Sequence, residues 1–233
     1  MKKIVLLLCI IVGLLNGQTL GDLHFVMANN TDQNKGRPLL IVMHGYGSNE
    51  NDLLSLAKQV APKCLIISLQ APNAVSQDGF CWYHIERLAN KQIKYDYEEV
   101  KSARSKVLAA IRVACKQYKC DSNQVFLMGF SQGAMMSYDL LLQSNFKFKG
   151  IAALSGRLVE ESSKQPQPIA KTKVFVAHGT NDNLIDYSES QKIVSYLSPL
   201  IKSALVYKSY PEAHTINMEE MTDLKFWFES TLK

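Results

Sequence analysis

The sequence predicts an α/β fold in which helices cover both faces of a mostly parallel central sheet. The first observation is that strand-like and helix-like segments alternate from residue 38 to the end of the chain, a pattern typical of this class. The second is that segments such as 39–43 and 125–128 are unbroken apolar runs, as strands buried on both faces are. With 233 residues, the chain is long enough for one such domain with a sizeable core, and no boundary for a second domain is visible.

Each predicted element has its own local signal. Strands are expected where a short apolar run ends in turn residues, and helices where apolar residues recur with a period near 3.6. The predicted strands are 24–27, 39–43, 64–69, 125–128, 150–154, 173–177 and 205–210, the first of them at an edge of the sheet. The predicted helices are 51–60, 98–118, 131–142, 188–197 and 218–232. The long segment 73–97 follows neither pattern, and irregular loops of this length are often functional.

Residues 129–133 read Gly-Phe-Ser-Gln-Gly, a G-x-S-x-G motif between a predicted buried strand and a predicted helix. In such an elbow the turn forces the serine, here Ser131, into a strained backbone conformation. Gly129 and Gly133 remove the Cβ atoms that would clash with the neighbouring strand and helix. The Ser131 hydroxyl is then expected at the carboxyl end of the strand and at a helix N-terminus, where developing negative charge is favoured. The alternative is a tight glycine-rich turn that carries a bystander serine.

A serine nucleophile needs a base within hydrogen-bond reach and an acid that holds the tautomer of that base. In α/β-hydrolases these residues follow in the order serine, acid, histidine. Only His178 and His214 follow Ser131 in the sequence, and His214, in a turn before the last helix, is the predicted base. His178 ends a strand and is expected to shape a turn. Asp182 is the predicted acid, whereas its rival Asp186 is expected to cap the next helix.

Attack on a carbonyl also requires hydrogen-bond donors for the oxyanion. Two backbone N–H groups are predicted to supply them, those of Gln132, directly after the nucleophile, and of Tyr46, in the loop after an early strand. The alternative for the second is a simple glycine-rich strand exit. Trp82 and Tyr83, in the long segment 73–97, are candidates to line the substrate pocket. They could equally form a small satellite core under that segment.

The first seventeen residues differ in character from the rest. Two lysines precede an almost unbroken apolar run at 4–15, which is too short to span a bilayer and is typical of a signal peptide. Cleavage after Gly17 would leave 18–233 as a single domain without a stable membrane anchor. We therefore expect an exported protein, periplasmic or extracellular. The alternative is an N-terminal core strand.

The charge and the cysteine content limit the kinds of partner and cofactor that can be expected. The net charge is +5, but the basic residues are interspersed with acidic ones, so no nucleic-acid partner is expected. Export would leave Cys64, Cys81, Cys115 and Cys120, for which disulfides and buried free thiols are both open. Cys115 and Cys120 are the closest pair in sequence. No spaced Cys/His set predicts a metal site, and no cofactor is expected.

Several short blocks resemble one known family. They are Met-His-Gly-Tyr-Gly at 43–47, Gln-Ala-Pro at 70–72, Trp-Tyr at 82–83, the elbow at 129–133, the segment 178–182 and Tyr-Pro-Glu-Ala-His at 210–214. Their order is that of the phospholipase/carboxylesterase family of α/β-hydrolases, which includes acyl-protein thioesterases and bacterial carboxylesterases. The resemblance covers roughly residues 36–232.

This resemblance implies an α/β-hydrolase fold with Ser131 as nucleophile, Asp182 as acid and His214 as base. It also implies an oxyanion hole formed by the backbone N–H groups of Tyr46 and Gln132. Tyr46 stands where the family commonly has leucine, and the acid block lacks the proline that commonly follows soon after the acid. The predicted export also differs from the cytosolic members that remove acyl groups from proteins.

The predicted function is therefore that of an exported serine hydrolase. It would cleave carboxylic ester or thioester bonds of a small-molecule substrate through an acyl-enzyme, as a monomer or homodimer. Two alternatives remain open, a non-catalytic exported binding module on the same fold and a serine peptidase.

Overall fold

The computed structural model describes residues 18–31, 33–88, 93–164, 166, 169, 171–201 and 204–232. The predicted signal peptide, residues 1–17, lies outside the described residues. Within the described ranges, no helix has both the length and the apolar character needed to cross a bilayer.

The described residues form one large sheet, two small sheets and helices on both faces of the large one. The strands are β1 Thr19–Leu20, β2 Leu23–Ala28, β3 Leu39–Met43, β4 Leu65–Leu69, β5 Asn73–Ala74, β6 Phe80–Cys81, β7 Ile85–Arg87, β8 Ile93–Tyr95, β9 Val125–Phe130, β10 Gly150–Leu154, β11 Lys173–Gly179 and β12 Leu205–Tyr210. The helices are α1 Leu54–Val60, α2 Tyr97–Tyr118, α3 Gln132–Gln143, α4 Tyr187–Ile201 and α5 Met218–Thr231, with a short 3-10 helix at Glu161–Ser163.

The large sheet has the strand order β1-β2-β4-β3-β9-β10-β11-β12. From β4 to β12 neighbouring strands are parallel, whereas β2 pairs antiparallel with β4, and β1 antiparallel with β2. The predicted mostly parallel α/β architecture is confirmed. Because β9 lies between β3 and β10, the loops that follow these three strands meet at the carboxyl edge of the sheet.

The apolar runs are explained by two separate cores, one on each face of the sheet. Along β3, Leu39, Ile41 and Met43 pack in the core under α2, α3 and α4, while Leu40 and Val42 pack in the core under α1 and α5. Successive side chains of a strand point to opposite faces. A strand covered on both faces therefore has no polar position, and the alternation seen in half-exposed strands is absent.

The helix boundaries differ from the prediction by more than one residue at two places. α1 begins at Leu54 rather than at 51, because residues 51–53 form a turn in which the Asn51 N–H donates to Asn49 Oδ1 at 3.0 Å. α4 continues to Ile201 through Pro199, beyond the predicted end at 197. Ile201 is buried against the sheet, and this contact extends the apolar face of the helix past the proline.

Candidate active site

The serine motif forms a sharp turn between β9 and α3. Ser131 has φ 54° and ψ −115°, in the left-handed region that non-glycine residues rarely occupy. A Cβ on Gly129 would lie 2.2 Å from the Gly133 carbonyl oxygen, and one on Gly133 would lie 2.0 Å from that of Met43. Both positions therefore require glycine. The steric role predicted for the two glycines is confirmed.

The structure brings the three predicted triad residues into one hydrogen-bonded chain. His214 Nε2 lies 2.9 Å from Ser131 Oγ, and His214 Nδ1 lies 2.6 Å from Asp182 Oδ2. Because an ionised carboxylate can only accept, Nδ1 carries a hydrogen and donates a hydrogen bond to Asp182 Oδ2. Nε2 is then an acceptor for the Ser131 hydroxyl. This is the tautomer that a general base needs.

The Asp182 carboxylate is fixed by the backbone that follows it. Its Oδ1 accepts hydrogen bonds from the N–H groups of Leu184 and Ile185, both at 2.9 Å. Its Oδ2, which faces His214, also lies 3.3 Å from His178 Nε2. The side chain is fully buried, so every contact of its oxygens is with protein groups that orient it.

His178 contacts the same Asp182 oxygen as His214, whereas the histidine that lies beside Ser131 is His214. Its side chain is fully buried, and its Nε2 lies 2.9 Å from the carbonyl oxygen of Ile185. It thereby tightens the turn that carries Asp182, in agreement with the predicted turn-shaping role. Sequence reasoning did not anticipate its contact with the acid, although its place four residues earlier at the strand end was visible.

The rival acid, Asp186, points to solvent. Its Oδ1 accepts a hydrogen bond from the backbone N–H of Ser188 at 2.9 Å, in the first turn of α4. Hydrogen bonds from Ser188 lower the pKa of this carboxyl. Asp186 thus acts as the predicted helix cap.

The loops that carry the acid and the base are tied together by backbone hydrogen bonds. The Thr180 N–H donates to the Tyr210 carbonyl at 2.7 Å, and the Asn181 N–H donates to that of Glu212 at 2.9 Å. These bonds extend the parallel pairing of β11 with β12 beyond the strands. The register of the sheet therefore continues into the two loops and sets the position of His214 relative to Asp182.

The loop after β3 passes directly beside the nucleophile. A Cβ built on Gly45 would lie 3.3 Å from Ser131 Cβ, and the next residue, Tyr46, lines the same cavity as Ser131. Gln132 is the first residue of α3, so its N–H belongs to the first turn, where the helix itself offers no acceptor. The two predicted oxyanion donors are thus on segments adjacent to Ser131, and their role as donors remains a prediction.

His44 holds the loop that carries Tyr46. Its Nε2 accepts from the Ala71 N–H at 3.1 Å, and its Nδ1 lies 2.7 Å from the Gly45 carbonyl oxygen, to which it donates. Its own carbonyl accepts from Trp82 Nε1 at 2.9 Å. Burial lowers the pKa of His44, which keeps the ring neutral, with one donor and one acceptor nitrogen. Sequence reasoning assigned no role to this residue.

The predicted pocket-lining role of Trp82 and Tyr83 is corrected by their burial. Both residues are fully buried and stand behind the cavity wall. The Gln132 side chain joins them to the elbow, since its Oε1 accepts from the Trp82 N–H at 2.9 Å and its Nε2 donates to the Tyr83 carbonyl at 2.7 Å. They support the site from within the large core under α2, α3 and α4, rather than from the small satellite core stated as their alternative.

A cavity of about 480 Å³ opens beside Ser131 and His214. Six of its lining side chains are apolar, namely those of Ile85, Ile93, Phe130, Met135, Leu184 and Ile185. The segment 73–97 therefore contributes aliphatic residues to the pocket in place of the predicted aromatic pair. Polar groups at the wall include Ser48, Asp52 and Arg157. Such a volume accommodates a small organic substrate.

The cysteines and the potential metal ligands give no evidence of a second reactive site. Cys64, Cys81, Cys115 and Cys120 are free thiols, and burial raises the pKa of Cys81 to about 11, which makes it a poor nucleophile. Among the described residues, no group of three His, Cys, Asp or Glu side chains is placed to hold a metal ion.

Comparison with known proteins identifies the family. The model of the phospholipase/carboxylesterase family matches residues 25–232. The chain belongs to the phospholipase/carboxylesterase family. This confirms the α/β-hydrolase fold and the prediction that the protein is an acyl hydrolase of the carboxylesterase type.

Relatives of this phospholipase/carboxylesterase family member align over most of its length. It is 26% identical over 211 residues to acyl-protein thioesterase 1 of Debaryomyces hansenii, covering 83% of this chain and 91% of that protein. It is 30% identical over 213 residues to acyl-protein thioesterase 1 of Kluyveromyces lactis, covering 84% and 92%. The crystal structure of the Bacillus cereus carboxylesterase superposes with a TM-score of 0.74 at 26% identity, covering 90% of this chain and 94% of that one.

Proposed function

We propose that the protein hydrolyses small carboxylic esters through an acyl-enzyme formed on Ser131. The observation that carries the proposal is the continuous hydrogen-bonded chain from Ser131 Oγ through the His214 ring to Asp182 Oδ2, with distances of 2.9 and 2.6 Å. Ser131, at one end of this series of hydrogen bonds, lines the cavity whose walls include the aliphatic side chains. A non-catalytic binding module would have no need of a base aligned on a strained serine.

In the first half of the reaction, His214 Nε2 takes the hydroxyl proton as Ser131 Oγ attacks the ester carbonyl. The imidazolium that forms is stabilised by the Asp182 carboxylate. The oxyanion is bound by the backbone N–H groups of Tyr46 and Gln132, and the N-terminus of α3 favours its charge. His214 then gives the proton to the departing alcohol, and the acyl group remains on Ser131.

In the second half, water enters the position of the alcohol. His214 takes a proton from this water, which attacks the acyl-enzyme carbonyl, and a second oxyanion forms in the same place. Collapse of this intermediate releases the carboxylic acid and returns the proton to Ser131. The cycle uses only groups of this chain and water.

A thioester can enter the same cycle, because only the leaving group changes from an alcohol to a thiol. The relatives described as acyl-protein thioesterases support this extension. Matched oxygen and sulfur esters of one acyl group would measure the preference. The serine peptidase alternative predicts cleavage of a peptide amide, which the same assay can include.

Replacement of Ser131 by alanine tests the proposal, and Ser155 provides a matched control. Ser155 also ends a parallel strand with positive φ, at 50°, and its buried hydroxyl has no hydrogen-bond partner among the residues that the structure describes. We expect Ser131→Ala to lower kcat for 4-nitrophenyl butyrate by at least roughly a thousandfold and to abolish labelling by a fluorophosphonate probe. Ser155→Ala should keep both. Unchanged turnover in folded Ser131→Ala would reject the serine mechanism.

We also propose that the protein is exported and that residues 1–17 are removed. The support is the sequence alone, two lysines followed by the apolar run 4–15. Expression of the full chain should yield, outside the cytoplasm, a protein whose N-terminal sequence begins at or near Gln18. Leu7→Arg, which interrupts the run, should leave the precursor in the cytoplasm, whereas Val113→Arg, on an exposed face of α2, should not. Recovery of the uncleaved wild-type chain from the cytoplasm would refute export.

A further inference from the structure

The substrate cavity contains one cationic side chain that the triad mechanism does not use. Arg157 follows Ser155 and Gly156 at the end of β10, the strand next to the one that carries Ser131. Its side chain lines the cavity together with Ser131 and Met135 and is 31% exposed. Arg157 therefore borders the space in which a substrate would lie beside the nucleophile.

The donors of this guanidinium are poorly satisfied by the protein. Among the described residues its acidic partner is Glu189, whose Oε2 lies 3.7 Å from Arg157 Nε, beyond a normal hydrogen bond. The other oxygen of Glu189 accepts from Lys192 Nζ at 2.6 Å. One carboxylate is thus shared by two cations, which leaves an excess of positive charge at this end of the cavity.

The cavity is also polarised by its second charged residue. Asp52 lines the cavity on the segment between β3 and α1, and it accepts a hydrogen bond from Ser48 Oγ at 2.8 Å. Because β3 and β10 flank β9 on opposite sides, Asp52 and Arg157 belong to opposite ends of the site. An anionic substrate group would be repelled from the β3 side and attracted to the β10 side.

The apolar walls strengthen this discrimination. Charges interact more strongly where aliphatic side chains, here including Ile85, Met135 and Leu184, exclude water. A guanidinium offers five N–H donors in a planar fork that matches the oxygens of a carboxylate or phosphate. An uncharged substrate would leave that fork facing an apolar group.

We propose that Arg157 is a specificity-determining residue that selects esters carrying an anionic group, a carboxylate or phosphate, at the β10 end of the cavity. The inference rests on the proposed esterase function and adds the substrate class. The anionic group can belong to the acyl part or to the alcohol part of the ester, and the two cases are separated by the choice of substrates.

Matched ester pairs test the inference. For the acyl part, the pair is 4-nitrophenyl hexanoate and the mono-4-nitrophenyl ester of adipic acid, which have equal chain length. For the alcohol part, the pair is the butyrate esters of 3-hydroxybenzamide and 3-hydroxybenzoate. The quantity measured is the ratio of kcat/KM for the anionic ester to kcat/KM for the neutral one, corrected for the ratio of their alkaline hydrolysis rates.

The variants are Arg157→Met, which keeps the length of the side chain and removes its charge, and Arg157→Lys, which keeps the charge and removes the fork. We expect the wild type to prefer the anionic ester in at least one pair, and Arg157→Met to reduce that ratio by about tenfold or more, mainly through KM. Arg157→Lys should retain part of the preference. The control Arg112→Met removes an exposed cation of α2 outside the cavity lining and should leave the ratio unchanged.

Ionic strength gives an independent readout, since added salt should weaken the preference of the wild type but not that of Arg157→Met. An equal ratio in wild type and Arg157→Met, with both esters still hydrolysed through Ser131, would overturn the inference and leave the proposed function intact. Absence of Ser131-dependent hydrolysis of every ester would overturn both. A ratio that falls equally in Arg112→Met would assign the effect to net charge and refute a specific role of Arg157.

Discussion

The Nδ1 atom of His214 lies 2.6 Å from Oδ2 of Asp182, although 32 residues separate the two in sequence. The other carboxylate oxygen is occupied by the N–H groups of Leu184 and Ile185. Each oxygen therefore has a separate task, one anchoring the side chain to its loop and the other holding the imidazole. The orientation of His214 therefore depends on Oδ2 being left available to accept from Nδ1.

The first prediction concerns the replacement Asp182→Asn. The amide keeps the shape of the side chain, but an NH₂ group turned toward His214 forces Nδ1 to accept and places the ring proton on Nε2, facing Ser131. The base is then blocked, so we expect kcat for a short-chain aryl ester to fall by roughly three to four orders of magnitude. The measurement is steady-state hydrolysis, with the thermal midpoint recorded to verify folding.

Asp186→Asn is the matched control for this replacement. Asp186 lies four residues later and caps α4 through Ser188, without contact to His214. Asparagine is also a good cap, so kcat should stay within about twofold of the wild type, as for ordinary surface substitutions. Loss of activity in Asp186→Asn with retention in Asp182→Asn would exchange the two assignments.

The second prediction concerns the Gln132 side chain. Gln132→Met keeps the backbone N–H predicted for the oxyanion hole but leaves the Trp82 N–H and the Tyr83 carbonyl without their partner. Both belong to fully buried residues, and unsatisfied buried groups cost about 1–3 kcal/mol each. We expect the free energy of unfolding to drop by about 2–4 kcal/mol, measured by urea denaturation.

Gln59→Met serves as the reference for this loss. Gln59 is exposed on α1, and its side chain makes one long contact of 3.4 Å, to the Ser55 carbonyl. Its replacement should change the free energy of unfolding by less than about 0.5 kcal/mol. An equally small change in Gln132→Met would mean that water or a neighbouring group replaces the lost hydrogen bonds.

The site of Ser131, Asp182 and His214 and the Gln132 contacts differ in how far they can be predicted from sequence. Ser131 was predictable because its motif, with Gly129 and Gly133, is local and sterically defined. Asp182 and His214 were predictable because strand ends in a parallel sheet converge on one edge, so chain order and the position of a turn were sufficient. The architecture was predictable for a similar reason, since apolar runs and helical periodicity are properties of short segments.

The parts that were not predictable depend on contacts between distant segments. The Gln132 side chain meets Trp82 across 50 residues, and nothing local distinguishes a buried aromatic pair from a pocket wall. The aliphatic lining from Ile85 and Ile93 likewise depends on residues distant in sequence from Ser131 that meet it at one cavity. A sequence pattern shows at what spacing apolar residues recur. It does not show which face of a loop is exposed to solvent and which is buried.

The third prediction concerns the ion pair between α2 and α3. Arg104 Nη1 lies 2.8 and 2.9 Å from the two oxygens of Asp139, whose side chain is fully buried. Arg104→Met would leave a buried carboxylate without its cation, so we expect a loss of roughly 3–5 kcal/mol in the free energy of unfolding. Removal of both charges in Arg104→Met/Asp139→Leu should recover a large part of this loss, because the uncompensated charge is then gone.

An exposed pair on the same helix provides the comparison. Lys101 and Glu98 form an ion pair one turn earlier, with side chains 41% and 75% exposed. Lys101→Met should cost less than about 1 kcal/mol. A double variant no more stable than Arg104→Met alone would show that packing or the Ser162 hydrogen bond to Asp139, at 2.5 Å, dominates this region.

The fourth prediction starts from an acidic side chain buried at the start of α5. Glu220 is 1% exposed, and within the described part of the chain its Oε1 has no hydrogen-bond partner. Burial, with a smaller contribution from the nearby charge of Glu212, raises the pKa of Glu220 from its ordinary value of 4.5 to about 8. The folded protein therefore holds a proton on Glu220 at neutral pH, whereas the unfolded chain releases it.

The sign of the pH dependence follows from that difference. Well below pH 4.5 Glu220 is protonated in both the folded and the unfolded state, so it does not affect the free energy of unfolding. As pH rises toward 8, Glu220 ionises in the unfolded state but not in the folded one, and the free energy of unfolding falls. Glu220→Gln cannot ionise, so its free energy of unfolding relative to wild type should rise by up to about 1.4 kcal/mol per pH unit between pH 5 and 8 and then level. Urea denaturation across this range measures the difference, and Glu219→Gln, at an exposed neighbouring position, should show no such rise. A difference between Glu220→Gln and wild type that is constant with pH would mean that Glu220 ionises normally and that water reaches its carboxyl group.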